Sequence, residues 1–229
     1  MDGSDSPLRS SAAHVIVTSL EELVLGAADA HHLARVLRLR PGEVVTATDG
    51  QGAWRVCRWT GAGLEADGPV VLEAAPEPPL TVGFAPVKGD RPEWTVQKLT
   101  ELGVDRIVPL RAARSVVRWD GERGAAAVDR LRRVAREAAM QSRRCRLPEV
   151  TEVLTPAALP DAALAEPGGG PPTLARPTVL VGPEGGWTAD ELAAAASTVA
   201  LGDLILRSET AALAAATLLG SLRSGHLIT

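Results

Sequence analysis

The sequence predicts an α/β protein in two parts, a small β-rich unit over residues 1–75 and a larger unit over 76–229 in which apolar strands alternate with helices. Three observations carry this reading. Pro76-Glu-Pro-Pro79 places three prolines in four residues, which neither a helix nor a central strand accommodates, so it reads as a linker. Ahead of it, short apolar runs are separated by Asp49-Gly50 and Gly61-Ala-Gly63 turns. Behind it, apolar runs stop at glycines and are followed by helix-start signals.

In the first part, His14–Val17, Glu43–Ala47, Ala53–Trp59 and Val70–Glu73 are the strand candidates. Alternation in the third puts Arg55, Cys57 and Trp59 on one face and Trp54, Val56 and Arg58 on the other. Between the first two strands, Leu33, Val36 and Leu37 form a helical apolar stripe, with Arg35, Arg38 and Arg40 projecting elsewhere. His32, before that helix, is expected to cap or pack.

After the linker, Leu80–Pro86 starts a new strand. Val96, Leu99 and Leu102 then mark the core face of a helix, and Ile107–Leu110 is the next strand. A long helix is predicted over about Gly121 to Gln141, with Val128, Leu131, Ala135 and Ala138 inward. Asp161 to Pro177, with its Gly168-Gly-Gly-Pro-Pro172, reads as a surface loop without chemistry.

Two C-terminal stretches carry most of the information. Val179-Leu-Val-Gly-Pro-Glu-Gly-Gly186 is a buried strand running into a glycine loop. Thr188 with Glu191 three residues on forms a capping-box signature for the next helix. Leu201-Gly-Asp-Leu-Ile-Leu-Arg-Ser-Glu-Thr-Ala211 repeats the pattern: an apolar trio, Leu204-Ile-Leu206, precedes Arg207, and Ser208 is placed to cap a helix. Two glycine-bearing strand exits suggest one pocket at the carboxyl ends of strands. The plainer alternative is two ordinary βα turns. Neither loop matches a phosphate-binding consensus, which disfavours nucleoside triphosphates and dinucleotides and leaves open an adenosine-containing ligand without phosphates.

Gly182-Pro-Glu-Gly-Gly186 followed by Leu204-Ile-Leu-Arg-Ser-Glu-Thr-Ala211 resembles the RsmE family of RNA methyltransferases. Lys88-Gly-Asp-Arg-Pro-Glu-Trp94 through Glu101-Leu-Gly103, and Arg114-Ser-Val-Val-Arg118, continue the likeness. The resemblance implies a trefoil-knotted SPOUT α/β domain behind a PUA-like β-barrel that binds RNA. It implies methyl transfer from S-adenosyl-L-methionine to N3 of a uridine in 16S ribosomal RNA of the small subunit, by a cytoplasmic homodimer. The cofactor's adenosine would lie against Leu180, Val181, Gly182, Pro183, Glu184, Gly185 and Gly186 of the first stretch, and Leu201, Gly202, Leu206 and Thr210 of the second. A valine at Gly182 would then fill the adenosine's space and abolish cofactor binding while leaving the fold largely intact.

Removing the imide proton of uridine spreads negative charge onto its carbonyl oxygens, and a guanidinium aimed there stabilises it. Arg207, the one basic residue between Arg176 and Arg223, is the catalytic candidate. Its structural alternative is an ion pair with Glu184 or Glu209. Arg35 and Arg38 lie in a string similar to the family's barrel and are candidates for phosphate contact. Two departures stand out: Ala13-His-Val-Ile16 lacks the family's opening aromatic–arginine pair, and Arg143 occupies a usual glycine, predicting a differently shaped turn.

The net charge of −4 argues against a polyanion partner, but the distribution argues for one. Residues 88–148 hold fifteen basic against eight acidic side chains, and both lysines of the chain, Lys88 and Lys98, fall there. Lys88, Lys98, Arg136, Arg143 and Arg144 are the proposed RNA track, with solvated helix faces as the alternative. Cys57 and Cys145 form no metal-ligand pattern and suggest a reducing compartment and no structural zinc. No apolar run approaches a membrane span of roughly 20 residues, and the polar Met1–Ser11 lacks a signal peptide's order. A non-catalytic RNA-binding module and a SPOUT enzyme acting on transfer RNA or a ribose oxygen are the competing functions.

Overall fold

The structure, a computed structural model, describes residues 6–227; the first five residues of the polar Met1–Ser11 stretch lie outside it. The chain divides into two compact units. The first contains the residues up to Ala75 together with Ala139–Leu147, and the second contains Pro76–Ala138 and Pro148 onward.

The first unit is built on a five-stranded sheet. After α1 (Pro7–Ser10), strand β1 (Ala13–Ile16) precedes α2 (Ala27–His31), and β2 (Val44–Thr48), β3 (Ala53–Trp59), β4 (Leu64–Ala66) and β5 (Val71–Leu72) follow. β1 pairs parallel with β2, which pairs antiparallel with β3; β4 and β5 both pair with β3. The alternation of β3 holds, and both its faces are covered: Cys57 and Trp59 sit in one apolar cluster, Trp54 with Leu8 and Cys145 in another.

The helical stripe proposed for residues 33–37 is corrected. Leu33 is buried, but Val36 and Leu37 are exposed, because α2 runs into a π-helical turn over His32–Val36 closed by Leu37 N–H to His32 O. The wider turn rotates 36 and 37 off the face that Leu33 makes. The His32 side chain does not pack and is exposed; only its backbone N–H closes α2, onto Ala28 O and Asp29 O.

Ala139–Leu147 runs along this first unit. Arg143 has φ 60°, the left-handed conformation a glycine would take. Around it the end of the long helix closes as a Schellman motif, with Arg144 N–H on Ala139 O (2.9 Å) and Arg143 N–H on Met140 O (3.4 Å). The turn therefore keeps the glycine geometry with an arginine in it, contrary to the altered shape expected. The guanidinium donates to Ser11 Oγ (3.2 Å) and Ser11 O (2.9 Å), which offsets the left-handed strain.

The second unit carries a six-stranded, all-parallel sheet. Its elements in order are β6 (Thr81–Phe84), α3 (Arg91–Glu101), β7 (Arg106–Pro109), α4 (Gly121–Gln141), β8 (Glu149–Val150), β9 (Ala163–Gly170), β10 (Thr178–Val181), α5 (Ala189–Ala194), β11 (Ser197–Val199) and α6 (Ser208–Arg223). The sheet order is β11-β9-β10-β6-β7-β8. α3 and α4 bury Val96, Leu99, Val128 and Leu131 against Leu80, Val82 and Ile107. Each such side chain contributes about 1.5–3 kcal/mol of burial. α6 presents Ala211, Ala212, Ala215, Ala216 and Leu219 to the same core, a face of small residues that brings its backbone close to the sheet.

Two local expectations change here. The loop predicted for Asp161–Pro177 contains β9, an inner strand of the sheet. Gly169 permits this, since a Cβ there would come within 2.6 Å of the Val199 backbone nitrogen on β11. Leu204-Ile-Leu206 lies in the loop between β11 and α6, with Leu204 and Ile205 80% and 92% exposed. Ser208 does not cap α6: it opens the helix, and its hydroxyl donates to Ala85 O (3.3 Å). The capping box of Thr188 and Glu191 is present in full.

Candidate functional site

The strands of the second unit are parallel, so their carboxyl ends lie along one edge, and the loops leaving β10 and β11 meet there. They enclose a cavity of about 340 Å³. Of the sequence-predicted cofactor residues, Val181, Gly182, Pro183, Glu184, Gly185 and Gly186 line it from the first loop, and Leu201, Gly202 and Leu206 from the second. Leu180 lies fully buried beneath the strand end, and Thr210 is exposed one step into α6; neither lines the cavity.

The first loop is held from outside the motif. The Arg114 guanidinium donates to Gly185 O (2.9 Å) and Trp187 O (3.1 Å). Trp187, 5% exposed, forms one wall, and its indole N–H donates to Ala165 O on β9 (3.0 Å). A Cβ on Gly182 would stand 2.9 Å from Trp187 Cε2. The glycine is thus required first by the tryptophan behind it. A valine there would displace a buried side chain as well as enter the cavity.

Sequence reasoning missed Trp187 and the β9 residues Ala165, Glu166 and Pro167, all of which line the cavity. The signal for Trp187 was its position beside the glycine pair; β9 gave none, because its residues read as a loop. The walls combine apolar side chains with glycine backbone, which suits a planar aromatic ligand approached edge-on by N–H and C=O groups. Among the described residues Glu166 and Glu184 are its charged residues, and no Lys, Arg or His lines it.

Arg207 lies between Leu206 and Ser208, which both line the cavity, and is itself exposed. Among the described residues its guanidinium has no ion pair. Glu209, the partner considered for it, instead faces Arg91 at 3.4 Å. A larger hollow of about 730 Å³, lined by Arg111, Arg118, Leu159 and Asp190 among others, contains none of the predicted cofactor residues.

The basic candidates fall into two groups. Lys88, Arg35 and Arg38 are exposed, with no ion pair among the described residues. Lys98 pairs with Glu101 at 2.8 Å, Arg143 is turned onto Ser11, and Arg136 and Arg144 are half-buried. Arg35, Arg38, Arg143 and Arg144 belong to the first unit, and Lys88, Lys98 and Arg136 to the second.

Residues 75–220 match the RNA methyltransferase domain family, and residues 25–64 the RNA methyltransferase PUA domain. The ribosomal RNA small subunit methyltransferase E of Mycobacterium bovis is 36% identical over 219 residues, covering 84% of each chain. The chain belongs to the RsmE family. Among solved structures, the RsmE-family enzyme of Neisseria gonorrhoeae, bound to S-adenosyl methionine, superposes with a TM-score of 0.74 at 31% identity, covering 92% of this chain and 97% of that one. The probable rRNA-methyltransferase of Porphyromonas gingivalis superposes at 0.78 with 25% identity, covering 94% and 100%. The all-parallel sheet and the PUA match agree with the SPOUT-type α/β architecture of this RsmE family. Among the described residues no helix is long and apolar enough to cross a membrane.

Proposed function

We propose that this RsmE-family chain is an S-adenosyl-L-methionine-dependent methyltransferase of 16S ribosomal RNA, acting on N3 of a uridine as a cytoplasmic homodimer. The observation that carries the reading is the single cavity formed by the glycine loop 182–186, the loop 201–206 and Trp187 at the carboxyl ends of parallel strands. Its chemistry fits the cofactor: glycine backbone and an indole wall for adenine, carboxylates and no cation for a positively charged ligand. The relatives support it, one being solved with S-adenosyl methionine bound.

When bound, the cofactor supplies a methyl whose bond to sulfur breaks with its electron pair left on sulfur, while N3 of the uridine forms the new bond. The chain's own work is positioning and charge. Gly182–Gly186, clamped by Arg114, would hold the adenosine together with Leu201, Gly202 and Leu206. Arg207, exposed at the cavity's rim and unpaired among the described residues, stands free to face the uridine carbonyl on which charge develops once the imide proton has left. Lys88, Arg35 and Arg38 are the exposed cations for phosphate contact. The path is read as the trefoil knot that the family resemblance implies, with α6 packed on β6 and β10.

The test is methylation of 16S RNA, free and in small subunits from a strain lacking the gene, with mass mapping of the nucleosides. Methyl on N3 of a uridine is the expected result. Methyl on a ribose oxygen or on transfer RNA would refute the substrate, and absence of S-adenosylmethionine binding by calorimetry would leave only an RNA-binding module.

A further inference from the structure

The cavity's charge is one-sided. Glu166, on β9, and Glu184, in the glycine loop, line it without any basic side chain. Glu166 is half-buried and its carboxylate has no hydrogen bond or ion pair among the described residues. Carboxylates in such positions are ordinarily paired or turned fully to water. Glu184 is exposed beside it, so Glu166 is the carboxylate better shielded from solvent.

S-adenosylmethionine carries a sulfonium, an ammonium and a carboxylate, and is a net cation. The spent cofactor, S-adenosylhomocysteine, differs by one methyl and one positive charge, since its sulfur is a neutral thioether. Shape alone separates the two by about one methyl group, a small difference in an apolar pocket. A fixed negative wall distinguishes them by charge instead.

We propose that Glu166 is a specificity-determining residue that favours the sulfonium cofactor over its neutral product. The inference rests on the reading of this cavity as the cofactor site. Loading draws the cation in; transfer removes the positive charge, and the product left behind loses its attraction to the wall and departs. Placed on a strand rather than in the glycine loop, Glu166 acts from a position that the paired C-terminal motifs do not include.

The experiment is calorimetric binding of S-adenosylmethionine, of sinefungin, which keeps a positive ammonium near the sulfonium's position, and of S-adenosylhomocysteine, to wild type and Glu166→Gln. The variant keeps the side chain's size and removes its charge. Affinity for the two cationic ligands is expected to fall about tenfold, the equivalent of one partly screened charge contact, with the neutral product unchanged. The loss should shrink as salt is raised from 50 to 500 mM. Equal losses for all three ligands, or no loss for any, would overturn the proposal.

Leu206→Trp, which fills the cavity, separates this from failure of the site itself, with thermal unfolding confirming that the variant is folded. If folded Leu206→Trp binds S-adenosylmethionine as well as wild type does, the cavity is not the cofactor site and the proposal falls with it. If Leu206→Trp abolishes binding while Glu166→Gln fails to discriminate, the site stands and the charge selection is wrong.

Discussion

Gly182 is where the cavity and the core press on the same atom. In Gly182→Ala the new methyl would lie 2.9 Å from Trp187 Cε2 and 3.2 Å from Cδ2 and Cζ2, closer than packed carbons sit. The indole cannot retreat freely: it is 5% exposed and tied by its N–H to Ala165 O at 3.0 Å. Overpacking of this kind costs about 1–3 kcal/mol. For a chain of this size that lowers the melting temperature by roughly 2–10 °C. Because the displaced indole is a wall of the cavity, S-adenosylmethionine affinity should fall at least tenfold in the same variant. The assay is a double-mutant cycle with Trp187→Leu, read by scanning calorimetry and by titration of the cofactor. A smaller side chain relieves the collision, so the double variant should be more stable than the sum of the single effects by about 1 kcal/mol. Additivity to within ~0.5 kcal/mol would refute the argument that the tryptophan is what makes Gly182 a glycine.

Other outcomes follow from the same structure. Arg207→Ala should lower kcat about 10²–10³-fold with little change in cofactor affinity; parallel losses in single-turnover rate and in binding would make it a cofactor residue instead. His14 is buried in the first unit, donating from Nε2 to Arg144 O (3.1 Å) and accepting the Thr46 hydroxyl at Nδ1 (2.8 Å), and burial pushes it down from 6.5 to about 4. The fold holds the neutral ring, so between pH 6.5 and about 4 the unfolded chain takes up the proton first. Stability should therefore be full above pH 6.5 and fall by about 3 kcal/mol as pH drops to 4, a slope that His14→Gln should flatten in thermal scans at stepped pH. For RNA, four to six phosphate contacts on single strands imply a log–log salt slope of roughly −3 to −4. Lys88→Ala or Arg38→Ala should each flatten it, whereas Arg143→Ala, losing its bonds to Ser11, should mainly lower the melting temperature.

Local signals made some of this molecule legible and non-local ones hid the rest. α4 has the range Gly121–Gln141 that its periodicity predicts, with Val128, Leu131, Ala135 and Ala138 buried, because an amphipathic helix writes its burial into its own spacing. The capping box at Thr188 is equally self-contained. β9 is the opposite case: Pro167-Gly-Gly-Gly170 reads as a turn to any local rule, and it is a strand because β10 and β11 lie on either side of it. The cavity follows the same division. Its glycines are visible as a motif, while Trp187 and Glu166 belong to it only once Ala165, distant in sequence, has been brought alongside. Leu204 and Ile205 show another limit, since an apolar side chain does not say in sequence whether it builds a core or, as here, reaches solvent.

The nine residues 139–147 that group with the first unit give the chain an order of events in time. β2 and the turn that leads to β3 meet them through Thr48 Oγ1 on Cys145 O (3.0 Å), Gly52 N–H on Cys145 O (2.9 Å) and Leu147 N–H on Gly50 O (2.9 Å). Those bonds span loops of nearly a hundred residues, whose closure is slow. During synthesis the N-terminal strands emerge first, yet they wait for Leu147 to leave the ribosome before the last of their backbone finds a partner. A fragment cut at the Pro76–Pro79 linker would keep those strands and lose that partner. The unit that matches the PUA domain is thus first to be translated, and it becomes complete only after much of the RNA methyltransferase domain has been made.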